Sequence, residues 1–337
     1  MTFPFGHGTT TGIYLILYVV TLALHVVLLS YVLVGAGWLA VAGLRGRDDD
    51  PVSRTFRDWL PFALGAAITA GVAPLLFVQV LYQQRFYTAN LLLSHRWMAV
   101  VPALIVGFYA LYLGKTARAA AWPARRRAAV ASLAALCFVF VAWSWTENHL
   151  LALRPEVWTS MYAAGRMVHL EAMQAPRLLL WLALAAPVAA TVAGWQLAGD
   201  AAALRRLRVV ALAGQVGALG AGAWLLALLP AAWRAPVEAT EGVVWLALVV
   251  AGQLAATAGW LWAPRAPRRA LALASAGLVV AILAGAVVRE LIRWHASSPV
   301  PARVAAAGGM PVFLFFFVGN AVVITLLIRG ARRHLTG

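Results

Sequence analysis

The feature that constrains this chain most is a series of apolar runs, each close to 20 residues or longer and each bounded by charged or turn-forming residues. A hydrocarbon layer about 30 Å thick is crossed by about 20 helical residues, and within it every backbone N–H and C=O must find its partner inside the protein. Runs of this kind fold as transmembrane helices. They fall at 12–41, 60–82, 97–114, 128–146, 177–198, 209–232, 243–263, 270–291 and 311–328. The expected fold class is therefore all-α, a polytopic membrane helix bundle of about nine transmembrane helices. In 337 residues, nine spans with short connections leave no room for a sizeable soluble part, so residues 1–337 read as a single integral membrane domain. The weakest boundaries are in the fifth span, which Pro187 interrupts, and the eighth, which Arg289 and Glu290 end.

Charge sets the orientation. The formal net charge of +16 would suit nucleic acid in a soluble protein, but here the basic residues sit between apolar runs. Alternate connections hold Arg45, Arg47, Arg54 and Arg57; Lys115, Arg118, Arg125, Arg126 and Arg127; Arg205, Arg206 and Arg208; Arg265, Arg268 and Arg269; and Arg329, Arg332 and Arg333. These are 18 of the 27 Lys and Arg, and the positive-inside rule accounts for them. The bias predicts an N-out, C-in protein of a bacterial inner (plasma) membrane, with lipid and not nucleic acid around it. The start, MTFPFGHGTTTGIY, lacks the basic segment of a cleavable leader, so the first run is expected to be retained as a span. The single cysteine, Cys137, lies in an apolar run and offers no disulfide framework.

The connections expected outside, 85–97, 147–176, 233–241 and 293–311, are richer in Trp, Tyr and His than the others. Many of the 15 Trp belong to an interfacial aromatic belt, and irregular connections are also where binding concentrates. Nothing resembles a P-loop, a dinucleotide-binding glycine pattern or a nucleophile elbow, which argues against a self-contained hydrolase or ATP-driven pump. The paired broken helices of inverted-repeat transporters are missing too.

Four residues stand out for chemistry. His25 lies deep in the first span with no charged residue near it in sequence. An ionisable group at that depth needs a partner, which is either a neighbouring helix or a haem iron taken by the neutral imidazole. Glu290 and Arg293, in GAVVRELIRWH, are three apart and share a helix face. They read as an interfacial ion pair that ends the span, or as flanks of a cofactor, with Glu290 an iron ligand or proton acceptor and Arg293 neutralising a propionate. The connection 147–176 carries His169 among Glu147, His149, Arg154, Glu156, Arg166 and Glu171. His169 and Glu171, two apart, do not match a helical metal-ligand spacing such as HExxH, so a quinone-head pocket or a docking surface for an external electron carrier is the better expectation there.

Several stretches together resemble subunit I of the cytochrome bd quinol oxidases, especially shorter relatives without the quinol-binding loop. Span one carries His25 before a small-residue stretch; span two reads FALGAAITAGVAPLLFVQVLYQQRFY; NHLLALRPEVW follows span four; and span eight ends in GAVVRELIRW. The resemblance implies that His25 corresponds to the first-span haem ligand, and that Glu290 and Arg293 correspond to a carboxylate and an arginine near the outer haems. It leaves the fifth-span ligand open between His169, if VHLEAM starts that helix, and Leu180, if APRLLLWLALAAP does.

This sequence also departs from the pattern. The acidic residues of span three are missing, Gln79 stands at an acidic position of span two, span seven has neither Met nor His, and 230–241 is too short for a quinol loop. Without acidic groups to deliver protons, an oxygen-reducing oxidase is not expected. The expectation is a bd-like membrane subunit of a respiratory electron-transfer complex that passes electrons between quinol and a cytochrome through haem b at His25. Quinone would be a further cofactor, and other membrane respiratory subunits and a c-type cytochrome on the outer face would be partners. The alternative is a haem-free structural or anchor subunit of such a complex.

Overall fold

A computed structural model describes residues 9–297, together with 314–315, 317–319 and 322. Among them there is no strand. The helices are α1 (Thr9–Leu44), α2 (Pro51–Leu81), α3 (Gln83–Met98), α4 (Val100–Gly114), α5 (Ala117–Ala120), α6 (Ala124–Ala152), α7 (Trp158–Ala163), α8 (Gln174–Gln196), α9 (Ala201–Leu228), α10 (Ala231–Glu238), α11 (Thr240–Trp262) and α12 (Pro267–Ser297), with a 3-10 turn at Pro155–Val157. Seven of these are long and apolar enough to cross a membrane, and α3 with α4, bent by 42°, pass together as an eighth. This is the character of a multi-pass membrane protein. The first eight expected spans each fall on one of these helices, whereas the ninth, 311–328, and the Arg329–Arg333 cluster lie almost wholly outside the described residues.

α1 is the hub, packed on α2, α6, α8 and α12, while α8 with α9 and α11 with α12 form two tight hairpins. Charge and capping set the helix starts at one end, hereafter the arginine-rich end. Asp50 caps α2 by accepting Val52 N–H (2.9 Å) and Ser53 N–H (3.1 Å), with Pro51 as the first helical residue, where its missing N–H costs nothing. Asp200 caps α9 in the same way through Ala202 and Ala203.

Two boundaries differ from the sequence reading. α8 runs unbroken through Pro187, which has no N–H to donate to the Ala183 carbonyl. Gly214 of α9 packs there, where a Cβ would stand 2.6 Å from that oxygen, so the glycine lets one backbone cover the other's gap. α12 continues past Arg289 and Glu290 to Ser297, because those charges are matched inside the bundle instead of ending it.

The connections at the opposite, aromatic end are also more helical than their polar composition suggested. α3 buries Phe86, Ala89 and Leu93 along one face, and α10 buries Trp233, Pro236 and Val237. Each turns this buried face to its neighbours, α3 chiefly to α6 and α10 to α11 and α12.

Candidate functional site

Buried charge gathers at the aromatic end. From Arg269 to Arg289, α12 climbs 20 residues, about 30 Å at 1.5 Å each, so Arg289 stands at the far hydrocarbon boundary if Arg269 marks the near one. Glu290 is 0% and Arg293 4% exposed. An ion pair at the solvated end of a helix would not be sealed in this way.

The helices that meet here supply the partners. Tyr82, which follows α2, donates its hydroxyl to Glu290 Oε2 at 2.5 Å. Arg289 donates to Glu290 Oε1 through Nε (3.1 Å) and Nη2 (2.9 Å), and its Nη2 also reaches the Tyr18 hydroxyl on α1. Arg293 donates to the same hydroxyl at 3.4 Å, lies 3.9 Å from Glu290 Oε1, and stacks 3.7 Å over the Tyr82 ring. Both carboxylate oxygens are therefore engaged. Chemically the group is a proton acceptor, Glu290, held between a phenol and two guanidiniums.

Two further residues extend the cluster, and the sequence reading gave neither a role. His149 on α6 is buried within electrostatic reach of Arg177, Arg289 and Arg293. Arg177, in the first turn of α8, has Trp181 under its guanidinium at 5.7 Å, and its Nε is buried without a hydrogen-bond partner among the described residues. Three guanidiniums thus share one carboxylate. The available signal was positional, since Arg177 sits at the edge of an apolar run on the end that the charge bias leaves poor in arginine. Tyr18 and Tyr82 could not be told from ordinary belt aromatics, because Glu290 lies 208 residues from Tyr82.

His25 is elsewhere. It lies on α1 two helical turns from Tyr18, on the inward stripe that runs through Tyr18 and Val32, yet it stays partly exposed. Its Nδ1 is 2.9 Å from the Ala67 carbonyl on α2. A carbonyl only accepts, so Nδ1 carries the proton and the lone pair is left on Nε2. Gly71 makes room for the ring: a Cβ there would stand 2.8 Å from Cε1. A neutral imidazole with Nδ1–H tied to a backbone carbonyl is the form that ligates a metal through Nε2, and in this respect the residues present fit a haem iron.

His169 joins neither group. It lies in the connection before α8, whereas Leu180 is inside α8. Its backbone N–H donates to Glu147 at 2.7 Å, and its Nε2 is 3.4 Å from Glu171 Oε2. Arg96 pairs with Glu147 at 2.7 Å, and Arg154 with Glu171 at 2.5 Å while covering the Trp233 ring. Burial alone would raise the Glu171 carboxyl, but hydrogen bonds from His169 and Arg154 outweigh it and hold its pKa below the usual value. This network clips the connection 153–173 onto the bundle.

Among the described residues no group of three or more His, Cys, Asp or Glu is arranged to hold a metal ion. No family model, curated protein or solved structure matches the chain. The functional reading rests on the residues themselves.

Proposed function

We propose that this protein is an electron-transfer subunit of a membrane respiratory complex, built on a scaffold like subunit I of the cytochrome bd oxidases and exchanging electrons between quinol and a cytochrome. The observation that carries this reading is His25, whose Nδ1 is turned to the Ala67 carbonyl and whose Nε2 is left free on an inward stripe of α1. Haem b, when bound, supplies one-electron transfer. His25 would hold the iron through Nε2, Ala67 fixes its tautomer, and Gly71 sets how closely α2 approaches the ring. Near the boundary, Glu290 accepts the hydrogen bond of the Tyr82 hydroxyl, while Arg289 and Arg293 supply its counter-charge.

In this reading the protein is N-out and C-in in a bacterial inner membrane. The aromatic end faces outward, toward other membrane subunits and a docked c-type cytochrome. A pyridine haemochrome spectrum of the purified protein tests it: wild type should show a b-type band that His25→Ala abolishes while the protein still inserts. Wild type without haem, or an unchanged spectrum in the variant, removes the assignment.

The second reading, a haem-free anchor subunit, is favoured by Glu290, whose two oxygens are taken by Tyr82 and Arg289 and so are not turned to a metal. The same spectrum, expressed as haem per copy of the chain, decides between them.

A further inference from the structure

Arg177 differs from every other charged group of the buried cluster. Arg289 and Arg293 are locked onto Glu290 and the Tyr18 hydroxyl, but no hydrogen bond or ion pair reaches the Arg177 guanidinium among the described residues. Its surroundings are positive. Arg289 and Arg293 act on it electrostatically, with Glu290 as the opposing carboxylate, and it sits in the first turn of α8, where the helix dipole is positive as well. Three guanidiniums against one carboxylate leave an excess of two positive charges, a costly arrangement beside hydrocarbon unless an anion completes it.

The position indicates which anion. With Arg269 at the near hydrocarbon boundary, Arg289 reaches the far one, next to the layer of lipid phosphates, and Arg177, within electrostatic reach of Arg289, is partly exposed between exposed Ala175 and exposed Leu179 on α8. A guanidinium fork matches the paired oxygens of a phosphate. A zwitterionic headgroup would bring a second cation into a region already positive, whereas an acidic lipid brings none.

We propose that Arg177 anchors a phosphate-binding site at the aromatic end of the bundle, filled by the headgroup of an acidic phospholipid entering beside α8. Arg289 and His149 supply the positive and polar wall behind it. The proposal does not depend on haem at His25.

The test uses full-length protein in nanodiscs of phosphatidylcholine, with and without phosphatidylglycerol, followed by native mass spectrometry of retained lipid. Wild type should retain phosphatidylglycerol in preference to phosphatidylcholine. Arg177→Gln should lower that retention on the order of tenfold, the scale of one lost charge-assisted contact. Arg177→Lys, which keeps the charge and loses the fork, should fall between. If Arg177→Gln fails to insert, wild type alone still answers, because its thermal midpoint should rise with phosphatidylglycerol.

Equal retention by wild type and Arg177→Gln, or no preference of wild type for the acidic lipid, overturns the proposal. A rise as large with inorganic phosphate in phosphatidylcholine discs keeps the phosphate site and overturns its lipid source. Haem is measured in the same samples. Loss of haem from Arg177→Gln with lipid retention unchanged would assign Arg177 to a cofactor carboxylate and overturn the proposal, whereas loss of haem from His25→Ala alone leaves it standing.

Discussion

At the arginine-rich end, Arg206 meets Asp50 at 2.9 Å with its side chain 44% exposed, and Arg57 meets Asp49 at 3.5 Å with the aspartate 77% exposed. Their acids sit just before α2 and leave the charges partly in water. At the aromatic end Arg289 and Arg293 converge on a carboxylate that no solvent reaches, with two tyrosines completing the shell. The same residue type therefore does two jobs. Arginines left partly in water cost little, whereas Arg289 and Arg293 are held by a network that satisfies them.

Breaking the buried network should have the largest effect. Glu290→Gln leaves Arg289 and Arg293 without their counter-charge, and removing one partner of a buried pair costs about 3–5 kcal/mol. Thermal unfolding in detergent should register a loss of that size. Where haem is present nearby, a redox titration should also shift toward the reduced form, since a negative charge has been removed in a low-dielectric region.

Acid should act next, and at both ends. The Arg127 hydrogen bond holds Asp48 below the usual carboxylate range, as His169 and Arg154 do for Glu171 against its burial. A depressed folded value means stability that is present above the unfolded pKa, roughly 3.9 for Asp and 4.3 for Glu, and lost as pH falls through the lower folded value. Hydrogen exchange in the connection 153–173 should rise below about pH 4. Glu171→Gln should remove that acid step there and leave the exchange around Asp48 unchanged.

The smallest effect belongs to Arg206→Gln, which should cost at most about 1 kcal/mol, measured in the same unfolding assay. A loss as large as that of Glu290→Gln would erase the distinction between the two ends.

Most of the bundle was legible because apolar length is a local property: eight of the expected spans coincide with helices although no contact was known. The short helices α3, α7 and α10 were not legible as such, since three buried side chains in α3 and in α10, and one in α7, make too weak a periodic signal. Glu290 and Arg293 could be paired from their spacing, but their burial depends on Tyr18 and Tyr82, which only the packing of α1 and α2 against α12 brings near. Arg177 was overlooked because a cation at the edge of an apolar run looks like a boundary marker.

The bend between α3 and α4 also acts on the membrane around it. Ser94, with φ of 48°, kinks α3 within its last turn and a half, and Gln83–Met98 and Val100–Gly114 diverge by 42° across Ala99. α4 has 15 residues, about 22 Å of helix, some 8 Å short of a 30 Å hydrocarbon core. The end of α3 leans away, so only about three quarters of its length counts toward the crossing. Beside α4 the apolar wall is therefore shorter than beside α12, a mismatch of the kind that a bilayer meets by thinning locally or that flanking residues meet by snorkelling.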